Sequence, residues 1–138
     1  MLNAIYAFVA ERPLVVFAVI VILFQMWKQR QPFPESGGRV RAIHSEEEWQ
    51  AAKASGRPFV CDFYATWCPP CRIAAPAFGE MSLAFENFDF YKVDVDKCRS
   101  IAAEVGISAM PTFKLFKAGR EVGEVRGWSR ANVEAMLR

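Results

Sequence analysis

Hydrophobic and polar positions follow two regimes along the chain. Residues 1–30 hold one long apolar run, uninterrupted from Leu14 to Phe24. From Val40 onward the pattern breaks into short alternating and helical stretches. Val40 to Ile43 alternates as a short strand does, and Ser45-Glu46-Glu47-Glu48 fits a capping box that opens a helix to about Ala54, with Trp49 and Ala52 inside. Phe59 to Tyr64 is an apolar, aromatic run broken only by Asp62, which suits a strand covered on both faces. From Cys71 onward Ile73, Ala74, Ala77, Phe78, Met81, Leu83, Ala84 and Phe85 follow a helical period.

Phe88 to Val95 reads as the next strand, and Asp96 is placed to cap a helix from Lys97 to Glu104 that Gly106 ends. Thr112 to Phe116 and Glu121 to Arg126 read as two strands joined by Lys117-Ala118-Gly119-Arg120, with Gly119 where positive φ is needed. Ser129 caps a last helix to Leu137. The order βαβαβαββα predicts an α/β domain: a central mixed five-stranded sheet flanked by four helices on both faces. No internal repeat or low-complexity stretch interrupts it.

The apolar N-terminal run predicts a hydrophobic helix. With Pro13 in its first turn, a helix over 13–30 would span roughly 27 Å, enough for a thin membrane. Phe24-Gln25-Met26-Trp27-Lys28 lacks the small-x-small pattern of a signal cleavage site. Trp27 would lie in the interfacial belt, and Lys28, Arg30, Arg39 and Arg41 after the run place the C-terminal part on the cytosolic side. The alternatives are a cleaved signal, a mitochondrial or secretory targeting helix, or a helix lying on the membrane. Gln31 to Gly38, rich in Pro and Gly, reads as a linker. The expected layout is thus a transmembrane helix at 1–30, a linker at 31–38 and one domain at 39–138.

Charge then narrows the partners. The 138 residues are 53% hydrophobic and 23% charged. From Arg39 to the end, 14 Lys and Arg face 13 Asp and Glu, leaving no basic patch dense enough to follow phosphates. Nucleic acid is therefore not an expected partner. Of the four cysteines, Cys61 sits inside an apolar strand as a small hydrophobe and Cys98 stands alone, a structural cysteine with a regulatory thiol as the alternative. Cys68 and Cys71 form a single Cys-x-x-Cys. With His44 the only histidine, no second pair completes a zinc site, so no metal is expected. His44 itself reads as a surface residue beside the Ser45 cap.

Trp67-Cys68-Pro69-Pro70-Cys71-Arg72, set between a strand and a helix, resembles the thioredoxin family. The resemblance covers about Val40 to Arg138. Val60-Cys61-Asp62-Phe63-Tyr64-Ala65-Thr66-Trp67-Cys68 looks like the family's Val-Asp-Phe-x-Ala-x-Trp-Cys and carries its buried aspartate onto Asp62. Pro76 matches the proline of the dithiol helix, Lys92 to Asp96 the third strand, Met110-Pro111-Thr112 the cis-proline motif, and Gly127 the glycine of the substrate-facing loop. Pro69 stands where most thioredoxins have glycine; Cys-Pro-Pro-Cys is the form of plant h-type thioredoxins and tryparedoxins. The N-terminal run also resembles anchored reductases of cytochrome maturation, whose fold carries an insertion that this chain has no room for.

The chemistry that follows is thiol–disulfide exchange. Cys68, at a helix N-terminus, is the expected nucleophile, because the dipole and free N–H groups favour a thiolate. Cys71, one turn inside, is the expected resolving thiol, and the two form the redox-active disulfide. Asp62, a lone carboxylate in an apolar strand, should hold its proton to unusually high pH and act as proton acceptor for Cys71; the alternative is an edge-strand aspartate facing water. Lys92 either stabilises ionised Asp62 or is simply solvated. Trp67, Pro69, Pro70, Met110, Pro111 and Gly127 are expected to form the substrate-binding rim. A cis Pro111 would offer the Met110 backbone to a substrate strand, with an ordinary trans proline as the alternative. No bound cofactor is expected; the resemblance implies electrons from an NADPH-dependent thioredoxin reductase, protein disulfides as substrates, and a monomer. The alternatives are an extracytoplasmic oxidase, isomerase or cytochrome-maturation reductase, and a non-catalytic membrane adaptor.

Overall fold

The apolar N-terminal run folds as two helices, α1 (Leu2–Glu11) and α2 (Pro13–Gln29), in a computed structural model that describes residues 1–138, the side chains of Val9 and Gln29 excepted. The helix expected over 13–30 forms as α2, one residue shorter, and the 1–30 segment expected to hold one helix has a second ahead of it. Pro13 supplies the reason: its ring keeps Arg12 out of the helical region, and Arg12 sits at φ −136° and ψ 58°. Pro13 then opens α2 at its first position, where a missing N–H costs nothing. Among the described residues no single helix is long and apolar enough to cross a membrane. Leu2–Phe8 and Pro13–Lys28 meet that length and composition together, bent by 97°. The contacts divide the chain into Met1–Pro32 and Phe33–Arg138, so the second unit begins ahead of residue 39.

That second unit runs β1 (Val40–Ile43), α3 (Glu46–Ala54), β2 (Phe59–Tyr64), α4 (Pro69–Ala84), β3 (Asp89–Asp94), α5 (Arg99–Glu104), β4 (Thr112–Lys117), β5 (Arg120–Arg126) and α6 (Arg130–Leu137). The sheet order is β1-β3-β2-β4-β5, with β1, β3 and β2 parallel and β4 and β5 antiparallel. This is the mixed five-stranded sheet expected from the hydrophobic pattern. Central β2 is buried along its length apart from half-buried Tyr64, which explains its unbroken apolar run.

Alternate residues of β2 feed two cores. Phe59, Cys61 and Phe63 join Trp49 of α3 and Ile101 of α5 on one face. Val60 joins Ala74, Phe78 and Met81 of α4, with Val133 and Leu137 of α6, on the other. Trp49 makes edge contacts with Phe59, Phe63 and Phe116 at 5.3–6.0 Å between ring centres, a geometry that favours aromatic attraction.

Local details differ from expectation in three places. Asp96 does not cap α5, which starts at Arg99 without a side-chain cap. Asp94 takes that turn instead, accepting from the backbone N–H groups of Asp96 and Lys97 at 2.9 and 3.4 Å, and Asp96 is freed for the active site. In the β4–β5 hairpin both Ala118 (φ 50°) and Gly119 (φ 72°) are left-handed, as a two-residue turn between twisted strands requires. At α3 the Ser45 cap forms, but Glu48 reaches back to the N–H of His44.

Candidate active site

Strand β2 ends in a turn that delivers Cys68 to the start of α4. Pro69 and Pro70 occupy the first two helical positions, where their missing N–H groups would have had no partner. The first N–H that α4 presents is that of Cys71, which donates to the sulfur of Cys68 at 3.4 Å. Cys68 is thus the helix N-cap, with sulfur in the place usually taken by a hydroxyl or carboxylate oxygen. The two cysteines form a disulfide with Cα atoms 5.3 Å apart. Cys68 keeps 3% of its surface exposed and Cys71 none, which leaves Cys68 the more accessible of the two.

The carbonyl oxygen of Met110 lies 3.6 Å from Cys68 Sγ, and the Met110–Pro111 peptide is cis. Gly127 donates its N–H to the carbonyl of Pro111 at 2.8 Å and adopts φ 79°, so the loop after β5 is tied to the cis-proline loop. Space around Gly127 is open; its backbone angle is what calls for glycine. Trp67, Pro69 and Pro70 are exposed beside the disulfide.

Two contributors were not found by sequence reasoning. The Trp67 indole N–H donates to Asp96 Oδ2 at 2.8 Å, orienting the exposed ring from a residue expected to cap a helix. Ile73, counted among the inward positions of the dithiol helix, is 67% exposed beside the disulfide. Buried Ala74, Phe78 and Met81 set the inner stripe at i, i+4 and i+7, and Ile73 falls one residue off it.

Asp62, in the strand that leads to the dithiol, is 1% exposed, with its Oδ1 lacking any hydrogen-bond partner. Burial pushes its carboxyl up to about 7, against the smaller opposing pull of Lys92. Lys92 pairs with Asp62 in the parallel β2–β3 register, while its ammonium reaches Glu35 at 3.3 Å. The solvent-facing alternative for Asp62 does not hold. Cys61 is fully buried and its thiol is raised well above the usual range, chiefly by burial, which makes it unreactive. Cys98 is also free and buried; its sulfur lies 3.7 Å from the Ile43 carbonyl, and burial raises its thiol as well. His44 is exposed.

Residues 40–138 match the family model described as Thioredoxin. The chain belongs to the thioredoxin family. It is 45% identical over 104 residues to Thioredoxin Asp f 28 of Aspergillus fumigatus, covering 75% of this chain and 95% of that one. It is 42% identical over 100 residues to the thioredoxin of Oryctolagus cuniculus, covering 71% and 95%. Among solved structures, thioredoxin NaTrxh from Nicotiana alata superimposes with a TM-score of 0.69 at 40% identity, covering 73% of this chain and 91% of its own. This thioredoxin is a thiol–disulfide oxidoreductase acting on protein disulfides, and Cys68–Cys71 is the pair that carries the exchange.

Proposed function

We propose that the protein works as a dithiol reductant. In the reduced form, the Cys68 thiolate attacks one sulfur of a substrate disulfide, forming a mixed disulfide and expelling the other substrate sulfur as a thiolate. Asp62 takes the proton of Cys71, whose thiolate attacks Cys68 Sγ and releases the second substrate thiol. The Cys68–Cys71 disulfide is left behind, and two electrons have passed to the substrate. A partner reductase drawing on NADPH returns those electrons, so no bound cofactor is needed. The observation that carries this reading is the Cys71 N–H aimed at Cys68 Sγ, because a helix N-terminus stabilises a thiolate at that atom. The Met110 carbonyl beside the sulfur, with exposed Trp67, Pro69, Pro70 and Ile73 around it, offers backbone pairing and an apolar face to an extended peptide.

Coupling to NADPH oxidation through a thioredoxin reductase, with insulin as substrate, tests the direction. Turnover together with a dithiol potential near that of the cytosolic glutathione pool or below it is expected. A strongly oxidising potential without turnover would instead support oxidase or isomerase work outside the cytosol.

The same proposal includes an address. The apolar helices α1 and α2 tether the chain at a membrane, and Lys28 and Arg30 after the run hold the catalytic unit on the cytosolic side. Carbonate extraction and protease protection check this; a shortened species released into solution would reject the tether.

A further inference from the structure

The residues from Phe33 to Arg39 precede the stretch matched to the family, yet they lie along the dithiol helix. Arg39 pins one end at the last turn of α4, donating its backbone N–H to Ser82 Oγ and its guanidinium to the Ser82 carbonyl, both at 2.7 Å. Going back along the chain, Gly38 and Ser36 rest on Gly79 so closely that any side chain there would collide with the Ser36 carbonyl. At the other end the Arg72 guanidinium stands over the Phe33 ring, 5.8 Å from its centre. From Gly79 back to Arg72 a helix covers about 10 Å, and an extended chain from Ser36 back to Phe33 covers about 10 Å, while Gly37 and Gly38 turn the chain with φ 69° and 59°. Phe33 to Ser36 is therefore an extended strap laid parallel to α4, with Phe33 beside Arg72 and Arg39 beside Ser82.

Its Phe33 end reaches the chemistry. Phe33 stacks on Tyr64 with ring centres 4.7 Å apart and packs against Ala65, Cys68 and Cys71. Tyr64 lies two residues beyond Asp62, on the same face of β2. Glu35 holds the Lys92 ammonium at 3.3 Å, and that ammonium stands 5.9 Å from the centre of the Tyr64 ring. The charged and titratable groups bearing on Asp62 are Lys92 on β3 and Cys61 and Tyr64 on β2, with Glu35 on the strap reaching it through Lys92 and Tyr64, while β4 brings uncharged Phe113 opposite it.

We propose that Phe33 and Glu35 are positioning residues for the exchange reaction: Phe33 closes the flank of the dithiol between Tyr64 and Arg72, and Glu35 draws the charge of Lys92 away from Asp62, so that Asp62 trades its proton with Cys71 and not with bulk water along that flank. This rests on the proton-acceptor role proposed for Asp62. Both residues push the carboxyl the same way. Removing the ring admits water, and removing the Glu35 charge releases the Lys92 ammonium that already draws the Asp62 carboxyl down; each change favours the ionised form.

The test uses the reduced full chain, following the Asp62 carboxyl by ¹³C NMR and, separately, the rate of insulin reduction against pH. Phe33→Ala and Glu35→Gln should each lower the Asp62 midpoint, the former by about half a unit or more, with Phe33→Tyr restoring it. The rate profile should shift in parallel, and Phe33→Ala should leave it unmoved in an Asp62→Asn background. A folded Phe33→Ala protein with an unchanged Asp62 midpoint overturns the strap alone. A rate profile that Asp62→Asn leaves unaltered rejects the acceptor role and, with it, the place of the strap in the reaction. The two failures are thus distinguishable.

Discussion

The backbone N–H of Cys71 donates to the sulfur of Cys68 across 3.4 Å, making Cys68 the cap of the helix that holds Cys71. With Pro69 and Pro70 carrying no N–H, that donor is the first that α4 has to offer. Deprotonation of Cys68 therefore puts a full charge where the helix already presents a partial positive one. Cys68→Ser should lower insulin reduction on the order of 10³-fold or more, because a hydroxyl at the same cap is not ionised. Cys71→Ser should still attack and then stall, and mass spectrometry should find one substrate thiol covalently attached. Multiple turnovers by the Cys71→Ser protein would sink this division of labour.

Asp62 ties stability to pH. Its carboxyl is raised from 3.8 unfolded to about 7 folded, so between those values the folded state holds a proton that the unfolded state has lost. The Asp62 contribution is therefore fully present below pH 4, is lost as pH rises toward 7, and levels off above. Asp62→Asn removes that loss. At pH 8 the variant should be more stable by up to about 4 kcal/mol, and near pH 4 by little. Denaturant titrations of the oxidised protein at both pH values check it. The same variant should slow the resolving step by about 10²-fold. Equal stability gains at pH 4 and pH 8 would mean the carboxylate is not the source.

Much of this was legible beforehand because period and chemistry agreed. The buried run Phe59–Tyr64 with one carboxylate inside pointed to both a central strand and a perturbed acid, and both are seen. What escaped depended on contacts between segments distant in sequence. Asp96 looks like a helix cap locally, but Asp94 satisfies that turn and Asp96 meets Trp67, 29 residues back. Residues 33–38 looked like a linker from their Pro and Gly; the glycines serve close approach to α4. At the N-terminus Pro13 marked the start of α2 correctly, but the short helix before it, α1, escaped because its apolar residues are interrupted by Asn3 and end at Glu11-Arg12.

Trp67 offers a third check. Its indole is 65% exposed and held by one hydrogen bond to Asp96. Asp96→Ala should cost no more than about 1.5 kcal/mol of stability, since both partners lie at the surface. The freed ring should bind extended substrates less well, raising KM for insulin a few-fold with little change in kcat. Tryptophan fluorescence anisotropy should fall in parallel. An unchanged anisotropy would show that the hydrogen bond does not hold the ring.

Gly79 gives the sharpest stability test, because helix propensity and packing disagree in sign there. Glycine inside α4 costs about 1 kcal/mol relative to alanine, so propensity alone predicts that Gly79→Ala stabilises. The strap reverses this. A Cβ at Gly79 would collide with the carbonyl of Ser36, a backbone atom that cannot swing aside as a flexible side chain would. Arg39, tied to Ser82 at 2.7 Å, keeps the strap from sliding along the helix. Overpacking of this kind costs roughly 1–3 kcal/mol, so the midpoint of thermal unfolding should fall by about 5–15 °C. The displaced strap should also carry Phe33 off Tyr64, and proteolysis near residues 31–38 should quicken. A melting point that stays level or rises would show that the strap does not lie against the helix in solution.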